Sequence, residues 1–147
     1  MRKYLLLVAL IVSAQSYAAS LQSMTKEQVV NLLKQKTMRT INLVTLNKKL
    51  INNTMTIYFG ENGHVTGQLI NNVTNNDPQV DKGEWKVEAN GAFCITWQNW
   101  NEHNPICMYP YELKNSILFI NQASNSFESM VLKTNIKTGN QLQSYVT

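Results

Sequence analysis

GEWKVEANGAFCITWQNW, residues 83–100, holds all three tryptophans of the chain, one of its two cysteines and an Asn90-Gly91 pair. The fold turns on how this stretch doubles back. A two-residue Asn90-Gly91 turn would pair Lys86 with Ile95 and Glu88 with Phe93, mixing charge into an apolar face. A three-residue loop, Ala89-Asn90-Gly91, pairs Val87 with Phe93 and Trp85 with Ile95 instead. Lys86, Glu88, Cys94 and Thr96 then share the opposite face. A one-residue slip moves every side chain of a strand to the other face, so the segregated register is the one expected. Trp85 and Trp97 fall on the core side.

The same loop chemistry recurs upstream. TMTIYF and VTGQLI, residues 54–59 and 65–70, alternate apolar and polar positions around Glu61-Asn62-Gly63. Pairing Phe59 with Val65 and Met55 with Leu69 keeps one face apolar, with Gly63 in the left-handed position beside a bulge. Downstream, placing Cys107 opposite Cys94 sets Ile95 against Ile106 and Phe93 against Met108, which extends that face to a third strand. ICMYPYEL and SILFINQ then turn at Lys114-Asn115, with Pro110 marking a bulge or an edge. FESMVLKTNI is a last strand, and TGNQLQSYVT a fraying tail.

One helix precedes the strands. Thr25 and Gln28 form a capping box, Met24 and Val29 a hydrophobic staple, and Val29, Leu32 and Leu33 one helical face over about Lys26 to Gln35. NNVTNNDPQVDKG, residues 71–83, is rich in Asn and lacks periodicity, so it is expected as an irregular connection. The fold class is mainly β: a short helix, then an antiparallel up-and-down meander of seven or eight strands, closed or half closed as a lipocalin-like barrel.

Compartment follows from the first residues. In MRKYLLLVALIVSAQSYAAS, a basic start, a short apolar run and a small-x-small site have the order of a signal peptide cleaved near Ala18. The apolar run is too short to span a bilayer. The expected organisation is a leader over 1–18 and a single domain over 19–147, exported to the periplasm or beyond, monomeric and without a stable membrane anchor. Without Arg2 and Lys3, the 13 basic residues fall to 11 against 9 acidic, a charge of +2. With no run of Lys or Arg, that balance carries no nucleic-acid footprint. Two cysteines in an exported chain point to one disulfide, Cys94–Cys107.

LLKQKT, YFGENGHVTGQ and GEWKVEANGAFCITW, with a second Cys soon after, occur in an order that resembles an uncharacterised family of small secreted proteobacterial proteins. The likeness runs over roughly residues 32–119. It implies a lipocalin-like barrel and carries no catalytic residues. Gln35 departs from it, standing where the LLxGxT-like turn would have Gly.

Catalytic motifs are missing: there is no G-x-S-x-G, no H-E-x-x-H and no phosphate-cradling glycine loop. No metal or cofactor is expected. His64 follows a turn, and Glu84 and Glu88 belong to a solvated strand face. Trp100, Glu102 and His103, in the loop QNWNEHNP, form the candidate binding site. Trp100 either stacks on a sugar or anchors a protein partner, or it folds back to plug the barrel. The leading reading is a non-enzymatic binding protein holding a small apolar ligand in the barrel or a partner at its mouth. One alternative is a secreted factor or inhibitor acting on a macromolecule, a protein or glycan, through the Trp100 loop. The other is a minor hydrolase using His103 and Glu102.

Overall fold

The computed structural model describes residues 21–46, 49–70 and 79–142. The leader expected over 1–18 and most of the connection expected over 71–83 lie outside them. Helix α1 (Lys26–Leu33) precedes β1 (Lys36–Leu46), β2 (Lys49–Phe59), β3 (His64–Ile70), β4 (Gln79–Val87) and β5 (Phe93–Trp97). β6 (Ile106–Glu112), β7 (Ser116–Asn121) and β8 (Phe127–Thr138) complete the set. Each strand pairs with the next, antiparallel, and β1 pairs with β8, so the meander closes as a barrel. Closure removes the sheet edges that an open meander would expose.

The registers are those the alternation demands. Val87 faces Phe93 and Trp85 faces Ile95, with Gly91 left-handed at φ 86° in the loop. Phe59 faces Val65 and Met55 faces Leu69, with Gly63 at φ 78°. Cys94 lies opposite Cys107 and the two form a disulfide on the outer face. Pro110 lies on β6 beyond the last residue paired with β5, and its carbonyl accepts from the Met24 N–H at 2.9 Å. An N–H-less residue is tolerated there because no strand claims that edge.

Helix α1 closes one end. Thr25 caps it with both bonds of the capping box, and Val29 and Leu33 are fully buried. They cover an edge-to-face chain of rings inside the barrel: Trp85 on Phe59 at 5.6 Å, Phe59 on Phe93 at 6.1 Å, Phe93 on Phe119 at 5.4 Å. Such pairs add about 0.5–1.5 kcal/mol each beyond area burial. This half of the barrel is tightly filled, with a gap of only about 20 Å³ beside Phe59, Phe93 and Phe119.

Two expectations need correction. The helix ends at Leu33, not near Gln35, because Lys34 leaves helical geometry and Gln35 turns left-handed at φ 56°. The turn lets the Gln35 N–H donate to the Phe59 carbonyl at 2.8 Å, which locks the start of β1 to β2. The irregular stretch is also shorter than expected, since β4 begins at Gln79. Its inward residues there are Asp81 and Gly83, facing Gly67 and Val65. Neither carries an apolar signal, so periodicity could not reveal the strand.

Candidate functional site

At the end of the barrel away from α1, the loop between β5 and β6 folds back over the opening. Trp97 is buried and Trp100 half-buried, their rings 4.9 Å apart and tilted by 58°. Gly67 on β3 makes room for them: a β-carbon there would sit 2.5 Å from the Trp97 ring and 2.8 Å from that of Trp100. Glycine inside a strand marks such close approaches. Of the two positions open to Trp100, the folded-back one is occupied. It is a lid on the barrel mouth rather than a free-standing aromatic.

Asp81 holds the lid. Its Oδ2 accepts from the backbone N–H groups of Asn99 at 2.9 Å and Trp100 at 2.8 Å. Its Oδ1 accepts from the Asn99 side-chain amide and the Lys82 N–H, both at 2.9 Å. Burial on its own would raise the carboxyl pKa. The donors of Asn99, Trp100 and Lys82 outweigh it, and Asp81 is held below the ordinary carboxylate value. The sequence reading missed Asp81 because it fell within the expected irregular stretch. The signal available was its spacing of two from Gly83 and four from Trp85.

Beyond Trp100 the backbone is strained. Asn101, Glu102 and His103 have φ of 54°, 52° and 61°, three consecutive non-glycine residues in the left-handed region. Each such residue costs roughly 1–2 kcal/mol. The turn is held by the Asn104 N–H donating to the Asn101 carbonyl at 2.8 Å, and the Asn101 amide donating to the Asn104 carbonyl at 2.9 Å. Glu102 and His103 are both exposed. The His103 Nδ1 lies 3.2 Å from the Trp97 carbonyl, which accepts its hydrogen in the Nδ1–H tautomer. Among the described residues, Glu102 makes no side-chain hydrogen bond or ion pair, so the two are neighbours in sequence without being a hydrogen-bonded dyad.

Below and beside the lid lie two neighbouring spaces. An inner cavity of about 70 Å³ is lined chiefly by apolar side chains, among them Met55, Ile57, Ile95, Trp97 and Met108. An outer cleft of about 330 Å³ runs between the β5–β6 loop and the β7–β8 turn, past Asn101, Pro105, Asn121 and Gln122. Ile106 and Glu128 line both. Glu128 reaches the opening through a bulge. Phe119 faces Ser129 while Ile120 faces Phe127, so Glu128 is the unpaired extra residue of β8. Bulges re-aim side chains in this way. Nothing in FESMVL announces a bulge, so this residue had no sequence signal.

Glu88 lies close to Cys94 and Cys107, but the thiols are joined in the disulfide and offer no metal-binding thiolate. Among the described residues no helix is long and apolar enough to cross a membrane. A structural disulfide is the mark of an oxidising compartment. No protein-family model matches the chain, and no curated protein matches it.

Proposed function

We propose that the chain is a small exported, non-enzymatic binding protein that takes a small apolar ligand, or the apolar end of a larger one, through the mouth under Trp97 and Trp100. The observation that carries this is the apolar cavity of about 70 Å³ beside a mixed polar and apolar cleft of about 330 Å³, with Ile106 and Glu128 in the walls of both. Ligand sites are concave, mostly apolar and equipped with a few convergent polar groups. The inner space is small, so only a short stem is accommodated while the rest of the ligand occupies the cleft. Export to the periplasm or beyond is supported by the leader-like first 18 residues, the disulfide and the resemblance to small secreted proteins.

Native mass spectrometry of protein taken from its own compartment tests the reading, alongside tryptophan fluorescence. A bound small molecule that is lost on unfolding, and whose return shifts the tryptophan emission, is the expected result. Protein that carries nothing and shows no emission change with any short apolar probe would overturn it. The strained turn at Asn101–His103 favours a second reading, a glycan or protein partner docking on the lid itself. Backbone strain of this kind concentrates at functional sites.

A further inference from the structure

We infer that the mouth selects a cationic amine carried on a short apolar stem. This rests on the reading of the cavity as a ligand site and adds the chemical class of the ligand. Three amides line the outer cleft, and each gives one N–H of its –NH₂ to the protein and keeps the second. Asn101 donates to the Asn104 carbonyl at 2.9 Å, Gln122 to the Tyr109 hydroxyl at 3.1 Å, and Asn121 to Glu128 Oε2 at 3.3 Å. The oxygens that remain unclaimed are Asn101 Oδ1, Gln122 Oε1 and Glu128 Oε1. Asn121 Oδ1 already accepts from the N–H groups of Ala123 and Ser124.

The cleft therefore offers free amide N–H groups as well as acceptor oxygens, and charge decides between ligands. Glu128 is its only charged side chain among the described residues, and it stands where the cleft meets the apolar cavity. Among those residues no Lys, Arg or His lies within ion-pair distance of it, whereas Glu61, Glu88 and Glu112 each have a lysine. An ammonium has three donors and no acceptor, which complements this set. A carboxylate or phosphate ligand would find the amide N–H groups but would be repelled by the Glu128 charge. The apolar lining below Glu128, with Ile106 at the junction, takes the stem.

The test is a titration of the folded, disulfide-bonded protein with n-hexylamine, n-hexanol and hexanoate at neutral pH and fixed ionic strength, read by tryptophan fluorescence and by NMR shifts of the Trp97 indole N–H and the Ser129 amide. Hexylamine is expected to bind about fivefold tighter than hexanol, the upper range for an exposed ion pair, with hexanoate weakest. In Glu128→Gln, hexylamine should fall to the level of hexanol while hexanol itself is unchanged. Equal binding of amine and alcohol, tighter hexanoate, or an unchanged amine affinity in Glu128→Gln would overturn the cationic selection and leave the apolar site standing. Failure of all three to bind would overturn both.

Discussion

At the scale of single residues, two side chains in unusual surroundings make measurable claims. Asp81 has two oxygens receiving four donors, an arrangement that only an acceptor on both atoms satisfies. Asp81→Asn keeps the shape but turns an –NH₂ toward N–H donors. It should cost about 2 kcal/mol, within the range for hydrogen bonds to a charged group, and lower the melting temperature by several degrees. The pH dependence has a definite sign. The folded carboxyl titrates below the unfolded value of about 3.9, so its stabilisation is complete above that pH. It is lost as pH falls through the folded value. Acid melts should therefore show a loss below about pH 4 that is absent in Asp81→Asn. Gln35 makes the opposite claim. It occupies a left-handed turn at φ 56°, where glycine carries no steric cost. Gln35→Gly should gain about 0.5–1 kcal/mol even though it gives up an exposed bond to Glu61, and a raised melting temperature would show it.

Among the elements, the β5–β6 hairpin carries both the disulfide and the lid. Its paired part is short, with only Phe93, Cys94 and Ile95 facing β6. With so few ladder bonds, the covalent link joins the Asp81 hydrogen bonds in restraining the loop bearing Trp100. Bridging positions 13 apart stabilises by roughly 3 kcal/mol in the chain-entropy picture. Replacing both Cys94 and Cys107 by Ala should therefore lower the melting temperature by around ten degrees. Amide exchange should accelerate first between Gln98 and Pro105. Uniform acceleration through all eight strands would mean that the bridge stabilises the barrel and not this loop.

For the whole molecule, the barrel divides into a tighter half under α1, with a gap of about 20 Å³, and a more open half under the lid, with about 70 Å³. The division predicts a graded response to removing the indoles. Trp97→Ala, inside the barrel, should cost ~3–5 kcal/mol. Trp100→Ala, half-exposed over the mouth, should cost about 1–2 kcal/mol. Parallel thermal melts check the order; equal losses would make Trp100 a plain core residue. Gly67→Ala addresses the lid from below. Its new methyl group meets both rings, so Trp100 should move outward and become more open to acrylamide quenching. Quenching unchanged from the parent protein would mean that the barrel wall gives way instead.

Much of this architecture was legible in the residues. Apolar alternation, two x-Asn-Gly loops and the cysteine pair select the registers of three strand pairs, β2 with β3, β4 with β5 and β5 with β6, because any slip would carry polar or charged side chains into the core. The capping box places the helix for the same local reason: its bonds lie within four residues. What the sequence could not decide depends on contacts between distant segments. Asp81 and Asn99 stand 18 residues apart and meet only when β4 and the β5–β6 loop share one end of the barrel. Trp100 had two positions open to it until Gly67, on another strand, provided the space that drew it inward. Glu128 lines the opening only because of a bulge against β7, and bulges follow from how a sheet closes. The strands were written in local pattern; the mouth was decided by closure, which alone brings these residues together.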